Sequence, residues 1–399
     1  SRLAGLALRE IPEPPLPGPG SVRIRVRKAG VSVEDLRVLD GRASPLLEPS
    51  GSWPSVPGRE ILGEVVEAGP AVERVAPGDR VVVDPWVPCA ARGWRDDPCP
   101  ACAAGLASTC ARAGEEGRLE VDGRPLARGA RLGLHADLPG GWAEVVVAHR
   151  DQLLPVDAEL PDRLAVLVEP VAAGLHAARE GWSAGGARGA AARLQPPRPA
   201  PALVLGGGVR ALATVRGLRA LGFEGPILVR AAERWAGAAR ATGASEVVHD
   251  DDALRDAMAA TGARASMPLE GEEVWSGGGF HPVFEAEGTE RSTARAVGLA
   301  AAGATAVLRV PADLPGGMLE RAAHRGVTLL GVAGYVPRPP GGPDASTLPV
   351  AHRLLVSEQA RWAPLVTHVY PLPPFREALE AAAGRSREEA RKVLLDPGL

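Results

Sequence analysis

Apolar and polar positions alternate along the first part of the chain, as expected of half-exposed β-strands. Over residues 21–27 an arginine follows each of Val22, Ile24 and Val26. A period of two places alternate side chains on opposite faces of a sheet. Short β-rich runs at 61–67, 80–84 and 142–147 follow, separated by Gly/Pro turns. The pattern predicts a compact antiparallel, barrel-like β domain over about the first 150 residues.

The pattern of apolar and polar positions changes after Glu169-Pro170. A helix is predicted over 171–179, and the Gly-, Ala-, Arg- and Pro-rich stretch 182–201 is interpreted as a surface loop. Buried strands then alternate with helices, which favours a parallel sheet with helices on both faces because each parallel crossover needs a helix. The predicted strands are 202–205, 227–229, 246–249, 283–286, 306–310 and 328–331, and the predicted helices are 210–221, 231–242, 289–301 and 317–324. A Pro/Gly-rich run to Pro343 breaks this alternation, and a last strand is predicted over 392–395.

Length, composition and charge narrow the class of protein. The 399 residues, 45% apolar and 23% charged, indicate two or three globular domains and exclude a disordered chain. A net charge of -3 provides no basic field for nucleic acid or anionic lipid. The sequence shows neither a bilayer-spanning apolar stretch nor the pattern of a signal peptide, so we expect a cytoplasmic protein without nucleic-acid or membrane partners.

All four cysteines fall within one short segment. Their spacing is Cys89-x9-Cys99-x2-Cys102-x7-Cys110. Four thiolates suit a closed tetrahedral zinc site, which stabilises a loop that has little core of its own. The alternative is four unligated buried thiols. The crowding favours a structural zinc bound by Cys89, Cys99, Cys102 and Cys110.

A glycine-rich turn opens the predicted parallel sheet. Gly206, Gly207 and Gly208 follow a strand, and a helix begins near Val209. Glycines let the backbone approach a pyrophosphate, and the N-terminus of the helix directs its N–H groups at that charge. The alternative is an ordinary tight strand-to-helix turn, but the strand, helix and further βα units around it favour dinucleotide binding.

The end of the next strand bears on the choice of cofactor. NAD binding favours an acid there, but the strand runs into Arg230, and Arg234 lies one helical turn further on. Guanidinium groups suit the 2′-phosphate of NADP. Alternatively, the Arg-rich composition placed solvated arginines there by chance. The cofactor predicted is NADP, with NAD as the other choice.

Further motifs are spread over nearly the whole chain. They are Lys28-Ala29-Gly30-Val31 with Asp35-Leu36, Gly63-Glu64-Val65-Val66-Glu67, Gly78-Asp79-Arg80-Val81, the cysteine segment, Gly140-Gly141-Trp142-Ala143-Glu144, Glu169-Pro170, the glycine turn, Phe284-Glu285-Ala286 and Leu365-Val366-Thr367-His368. In these motifs the chain resembles the medium-chain dehydrogenase/reductase superfamily, in its zinc-type alcohol and threonine dehydrogenase branch.

The resemblance implies an α/β fold with two domains. A GroES-like β-rich catalytic domain would comprise residues 1–172, with a structural zinc lobe at 89–110. A Rossmann domain with a doubly wound parallel sheet would follow at 173–335, and residues 336–399 would return to the first domain. The resemblance also implies a small-molecule substrate, NAD(P)(H) bound in a cleft, and a homodimer or homotetramer.

The sequence departs from the family at the catalytic metal. Where zinc-type relatives have Cys-Gly-Thr-Asp and Gly-His-Glu, this chain has Ser32-Val33-Glu34-Asp35 and Gly58-Arg59-Glu60. Ser32 and Arg59 thus occupy the Cys and His ligand positions, while Glu60 and the possible third ligand Glu169 remain. Serine binds zinc poorly and arginine is a permanent cation, so we expect no catalytic zinc. The zinc lobe also departs, because its first spacing is x9 rather than x2.

Arg59 has two interpretations. It could lie between Glu60 and Glu169 as a structural ion pair. Alternatively it polarises a substrate carbonyl, with Glu34 or Ser32 near enough to exchange a proton.

The function that follows is NAD(P)H-dependent hydride transfer to or from a carbonyl, an alcohol or an activated double bond, without catalytic zinc. One alternative is a non-catalytic relative that binds NADP(H) or a protein partner. A quinone-reductase-like enzyme is a third interpretation, and the cysteine lobe weakens it.

Overall fold

The computed structural model describes residues 5–41, 51–187, 200–267, 273–309, 316–335, 346–386 and 389–399. The Pro/Gly-rich run up to Pro343, most of the predicted loop 182–201 and the last residue of the predicted strand 306–310 lie outside the described residues. Among the described helices, none is long and apolar enough to cross a membrane.

The strands are β1 Ser21–Gly30, β2 Glu60–Ala68, β3 Arg80–Val83, β4 Glu120–Val121, β5 Arg124–Pro125, β6 Val145–His149, β7 Leu153–Pro155, β8 Ala202–Leu205, β9 Ile227–Arg230, β10 Glu246–Val248, β11 Arg264–Ser266, β12 Val274–Ser276, β13 Val283–Glu285, β14 Thr305–Leu308, β15 Thr328–Gly331, β16 Val366–Pro371 and β17 Lys392–Asp396. The α-helices are α1 Val33–Leu39, α2 Pro100–Ala103, α3 Asp162–Ala165, α4 Val168–Ala187, α5 Val209–Ala220, α6 Ala236–Thr242, α7 Asp251–Ala260, α8 Glu290–Gly298, α9 Met318–Arg325, α10 Thr347–Ser357, α11 Gln359–Trp362 and α12 Phe375–Ala382.

The chain divides into two compact units. The first, here called the β-rich unit, comprises Ser1–Glu169 and Val336–Leu399. The second, the parallel-sheet unit, is Pro170–Tyr335. The first division lies at Glu169, close to the boundary at residue 172 that the resemblance implies.

The β-rich unit is built on one mixed sheet. Its strand order is β16-β17-β1-β2-β3-β7, and β6 also pairs with β1. Every pairing is antiparallel except that of β16 with β17. The alternation predicted for β1 is confirmed, because Val22, Ile24 and Val26 are buried while Arg25 and Arg27 are exposed. The C-terminal strand β17 pairs with β1, so the end of the chain completes the sheet that its beginning starts.

The parallel-sheet unit has a six-stranded sheet of order β10-β9-β8-β13-β14-β15, in which every pairing is parallel. The predicted α/β alternation is confirmed. Because β8 lies in the interior of this order, the turn between β8 and α5 opens at the middle of the sheet's carboxyl edge.

Several predicted boundaries were wrong, and the helix predicted over 231–242 forms α6 only from Ala236 onward. The predicted loop 182–201 begins inside α4, which continues through Ala187. The helix is held by apolar packing that the local composition does not reveal: a Cβ at Gly181 would lie 2.7 Å from the ring of Phe284, and the rings of Trp182 and Phe223 meet edge to face at 5.4 Å. The strand predicted at 142–147 begins only at Val145.

Residues 140–142 instead pack against the loop before β2. The N–H of Gly141 donates to the carbonyl oxygen of Gly58, and the N–H of Trp142 donates to that of Pro57, both at 3.0 Å. A Cβ at Gly140 would lie 2.3 Å from the Gly58 carbonyl oxygen, so this close approach requires glycine. The contact fixes the backbone immediately before Arg59.

Candidate active site and metal centre

Ser32 caps helix α1. Its hydroxyl donates to Asp35 Oδ2 at 2.6 Å and accepts the Asp35 N–H at 3.1 Å, while the Ser32 N–H donates to the same carboxylate at 3.0 Å. This reciprocal pattern is a capping box, and both side chains are buried. The hydroxyl of Ser32, which was predicted to exchange a proton with the substrate, is therefore already hydrogen-bonded at the start of a helix.

Arg59 is buried beside the first turn of the same helix. Its Nη1 lies 3.1 Å from Glu34 Oε2, and its Nε donates to Asp35 Oδ1 at 3.4 Å. Both of these carboxylates belong to α1, whereas the ion pair suggested by the sequence was with Glu60 and Glu169, and that pairing stays a prediction. The register explains the proximity of α1: Gly30 pairs with Glu60 across β1 and β2, so α1, which follows β1, begins next to the start of β2.

Glu60 forms a buried ion pair with Lys392, the first residue of β17. The Lys392 ammonium also donates to the Val31 carbonyl oxygen at 3.0 Å. A Cβ at Gly30 would overlap the Glu60 carboxylate, so glycine at this position leaves room for the pair. Sequence reasoning missed Lys392, because nothing along the chain links residue 392 to residue 60.

Arg131 is a second buried arginine that sequence reasoning missed. Its guanidinium carbon lies 5.6 Å from the centroid of the Trp86 ring. Burial, and then the charge of Arg59, lower the pKa of Arg131 to about 9, although the charges of Glu34, Asp35 and Glu169 act in the opposite direction. We call Glu34, Asp35, Arg59, Arg131 and Glu169 the arginine–carboxylate cluster.

The donors present do not fit a catalytic zinc. The Ser32 hydroxyl donates its proton to a carboxylate, and a guanidinium at position 59 brings a positive charge where a ligand lone pair is needed. The prediction that this site holds no catalytic zinc therefore rests on donor chemistry.

The four cysteine sulfurs converge. All their Sγ atoms lie within 4.8 Å of one another, with Cys89 and Cys110 at 3.6 Å and Cys99 and Cys110 at 3.8 Å. A tetrahedral zinc with bonds of about 2.3 Å separates its sulfurs by about 3.8 Å. The N–H groups of Cys89, Cys99 and Cys102 also point at sulfurs of the cluster, at 3.4 to 3.5 Å. The set fits a structural zinc.

Arg92 supports this metal centre. It is fully buried, and its Nη2 donates to Cys110 Sγ at 2.8 Å. Its guanidinium also stacks on Trp94 at 5.2 Å. A hydrogen bond from Cys102 and the charge of Arg92 together lower the pKa of the Cys110 thiol to about 5. A cation here offsets the excess negative charge of four thiolates on one Zn²⁺.

The glycine turn after β8 forms a cradle. Gly206 has a φ of 126°, and its N–H donates to the Arg230 carbonyl oxygen at 2.9 Å. A Cβ at Gly207 would lie 2.3 Å from the Trp235 ring, whereas one at Gly208 would meet nothing within 4 Å. Gly208 is the N-cap of α5 and provides no side-chain hydrogen bond to the helix. The N–H of Leu212 donates to the Gly208 carbonyl oxygen at 3.0 Å, so the N–H groups that could receive an anion are those of the first turn before it, such as Val209 and Ala211. The cradle fits a pyrophosphate.

Arg230 ends β9, as predicted, and carboxylates from other elements meet it. Its Nη2 lies 3.5 Å from Asp251 Oδ1 and its Nη1 lies 3.8 Å from Glu287 Oε1. Asp251 also pairs with Arg291 and, at 2.5 Å, with Arg295. Three guanidinium groups thus surround two carboxylates.

Charges and burial act in opposite directions on these two acids. Burial alone would raise the pKa of Asp251, but the hydrogen bond and charge of Arg295 dominate and lower it. Burial raises the pKa of Glu287. The guanidinium of Arg234 lies over the Trp235 ring at 6.0 Å.

Comparison with known proteins agrees with this architecture. The family model described as the alcohol dehydrogenase GroES-like domain matches residues 18–158, which lie in the β-rich unit. The chain is 30% identical over 243 residues to (R,R)-butanediol dehydrogenase of Saccharomyces cerevisiae, covering 56% of this chain and 55% of that protein. It is 25% identical over 374 residues to sorbitol dehydrogenase of Ovis aries, covering 92% of this chain and 88% of that protein. The match to the butanediol dehydrogenase thus spans about half of that protein's length.

Among solved structures, a putative zinc-binding dehydrogenase from Sinorhizobium meliloti bound to NADP superposes with a TM-score of 0.66 at 24% identity, covering 97% of this chain and 94% of that one. The β-rich and parallel-sheet units are therefore a GroES-like domain and a Rossmann domain. The chain is thus similar in sequence to butanediol and sorbitol dehydrogenases, and it shares the fold of a putative zinc-binding dehydrogenase.

Proposed function

We propose that this protein is an NAD(P)-dependent oxidoreductase of the alcohol dehydrogenase-like type, acting on a carbonyl, an alcohol or an activated double bond of a small molecule. The observation that carries the proposal is the open glycine cradle at the N-terminus of α5. A Cβ at Gly208 would meet nothing within 4 Å and no side chain caps the helix, in a unit whose fold is shared with an NADP-bound neighbour. The relatives matched include butanediol and sorbitol dehydrogenases, which disfavours the non-catalytic alternative.

The Rossmann unit would hold the dinucleotide. Gly206, Gly207 and Gly208 would let the backbone approach the pyrophosphate, and N–H groups of the first turn of α5, such as those of Val209 and Ala211, would donate to it. When bound, the nicotinamide supplies or accepts the hydride. The protein's own contribution is to orient that ring and to handle charge and protons on the substrate oxygen.

In the β-rich unit the contacts favour a positioning role for Arg59. It holds the carboxylates of Glu34 and Asp35 at the first turn of α1. Asp35 is committed to the helix cap, whereas the Glu34 side chain keeps 24% of its surface exposed. We therefore assign proton exchange with the substrate oxygen to Glu34 rather than to Ser32. The pair of Glu60 with Lys392, and Glu169 as part of the cluster, would set the field around it.

NADP is the proposed cofactor. Arg230, with Arg291 and Arg295 gathered around Asp251, provides an excess of positive charge near the end of β9. A 2′-phosphate would compete with Asp251 for these guanidinium groups. Arg234 contributes less to the proposal, because its nearest described contact is the Trp235 ring.

The test is a titration of the full-length protein with NADPH and NADH. Arg230→Asp should weaken NADPH binding by about tenfold more than NADH binding, because a charge-assisted contact with the phosphate is lost. Arg240→Asp, an exposed arginine of α6, is the matched control and should affect both cofactors equally. Equal affinities of the unmutated protein for the two cofactors would remove the NADP preference, and no binding of either would remove the proposed function.

The remaining proposals concern the assembly and its setting. The four cysteines would bind one structural zinc per chain. We further propose a cytoplasmic homodimer or homotetramer, as the family resemblance implies. Light scattering on the purified protein measures the oligomeric state, and a monomer would contradict it.

A further inference from the structure

The backbone around Arg131 is held firmly in place. Trp86 and Arg131 form an antiparallel bridge. On either side of it, the N–H of Val87 donates to the Ala130 carbonyl oxygen at 2.9 Å and the N–H of Leu132 donates to the Pro85 carbonyl oxygen at 2.8 Å. The side chain therefore leaves a fixed point, with its guanidinium over the Trp86 ring.

Its charge lacks the compensation that other buried arginines have. Arg131 is only 5% exposed, yet within the described part of the chain no carboxylate lies within 4.0 Å of it, and its buried Nε has no hydrogen-bond partner. Arg59 and Arg92, equally buried, are matched by carboxylates and by a cysteine sulfur. Burying an unpaired charge is costly, so such groups are usually paired or bind a ligand.

The neighbouring charges do not remove this imbalance. Glu34 and Asp35, the nearest acids on α1, are engaged by Arg59 at 3.1 and 3.4 Å. Arg59 itself adds a second positive charge near Arg131, and with burial it brings the pKa of Arg131 down to about 9. An anion at Arg131 would relieve both effects.

We propose that Arg131, as a member of the arginine–carboxylate cluster, binds an anionic group of the substrate, a carboxylate or a phosphate ester. The planar fork of a guanidinium matches two oxygens of such a group. The Trp86 ring lies on one side of this guanidinium, with its centroid 5.6 Å from the central carbon. This inference rests on the proposed function, and it narrows the substrate to an anionic carbonyl compound or alcohol.

The competing explanation is that Arg131 serves packing alone, through its stack on Trp86. The two explanations predict opposite effects of Arg131→Met, which keeps an extended apolar side chain on the ring and removes the charge. An unpaired, buried arginine that binds a ligand destabilises the ligand-free protein, so the variant that lacks its charge should unfold at a higher temperature. A packing arginine is needed by the fold, so its loss should lower the unfolding temperature.

The binding experiment uses the full-length protein and three probes: oxalate, inorganic phosphate and the neutral oxalate analogue oxamide. Calorimetric titration should show that the unmutated protein binds oxalate or phosphate and not oxamide. Arg131→Met should weaken that binding by about tenfold or more. Arg118→Met is the control, because Arg118 also lies over a tryptophan, Trp94, but is exposed. Its affinity for the anions should be unchanged. Preference for oxalate over phosphate identifies a carboxylate substrate, and the reverse identifies a phosphate ester.

Two results would overturn the proposal: binding of oxamide as tight as that of both anions, or anion affinities that are the same in Arg131→Met and in the unmutated protein. An Arg131→Gln variant is measured in parallel, so that the same binding test can be made if the methionine variant misfolds. Titration of the same samples with NADPH and NADH separates this outcome from failure of the proposed function, because cofactor binding depends on the glycine cradle of the other unit.

Discussion

Three buried arginines of the β-rich unit differ in what compensates their charge. Arg59 has the carboxylates of α1, Arg92 has the sulfur of Cys110, and Arg131 has only the face of Trp86 among its described contacts. Because a buried charge must be compensated, the first two are explained by the folded protein alone. The third is explained by a ligand.

Sequence reasoning identified one of these three arginines. Arg59 was identified because it occupies a motif position at which the resemblance implies a metal ligand. Arg92 and Arg131 belong to no motif, and their partners come from contacts that only the folded chain creates. The pairing of Glu60 with Lys392 was out of reach for the same reason, since β17 lies beside β1 only in the folded sheet.

The buried residue His135 makes the stability of the fold depend on pH, and this dependence can be tested. It is fully buried, and its Nδ1 accepts the N–H groups of Asp137 and Leu138 at 3.1 and 3.2 Å. Burial lowers the pKa of His135 from 6.5 to about 4. Between these values the unfolded chain binds a proton that the folded chain does not, so stability is complete above pH 6.5 and falls as the pH drops towards 4.

We predict that His135→Asn makes this fall shallower. The asparagine oxygen can accept the same two N–H groups but does not titrate. The free energy of unfolding, measured by urea titration from pH 4 to 7, should lose up to about 3 kcal/mol less than in the unmutated protein. The exposed His324→Asn serves as the control. An unchanged pH dependence in His135→Asn would show that this histidine is not kept neutral by the fold.

At the scale of elements, hydrophobic periodicity predicted β1 and the six strands of the parallel sheet, because each has a period or a continuous apolar run of its own. It failed at α4, whose second half is held by Phe223 and Phe284 rather than by local composition. It also missed the whole of α1, although the spacing Ser32-x-x-Asp35 is a capping signal.

The glycine cradle allows a matched pair of substitutions. Gly207→Ala places a methyl group 2.3 Å from the buried Trp235 ring and should cost about 1 to 3 kcal/mol of stability. Gly208→Ala meets no protein atom and should cost about 1 kcal/mol or less. Its methyl group would instead occupy space needed by the pyrophosphate, so the dissociation constant for NADPH should rise by about tenfold. Undiminished NADPH binding by Gly208→Ala would place the pyrophosphate elsewhere.

The cysteine lobe yields a metal-release prediction. Elemental analysis should find one zinc per chain. Cys102→Ser should release it and make residues 89–110 sensitive to protease, because the lobe has little other core. Ser108→Ala, in the same lobe, should retain the metal. NADPH affinity should be unaffected, since the glycine cradle lies in the other unit. Two tightly bound zinc ions per unmutated chain would contradict the ligand assignment.

For the whole molecule, the resemblance rests on motifs distributed over nearly the full length, and the β1 to β17 pairing shows the C-terminal segment within the first unit. What the motifs do not determine is the chemistry at the altered metal position. At the two positions where the resemblance implies metal ligands, the structure has a helix cap at Ser32 and an ion-paired arginine at residue 59.

Steady-state oxidation of NADPH by the purified protein tests the proposed activity most directly, with a panel of aldehydes, ketones, 2-oxo acids, sugar phosphates and enones, with and without a chelator. We predict that at least one compound is reduced in step with NADPH oxidation, and that brief exposure to the chelator leaves the initial rate unchanged while the structural zinc stays bound. If no compound oxidises NADPH although cofactor binding has been demonstrated, the protein is not the enzyme proposed. If the chelator abolishes turnover while the structural zinc is still present, the protein uses a catalytic metal, and the conclusion drawn from Ser32 and Arg59 is wrong.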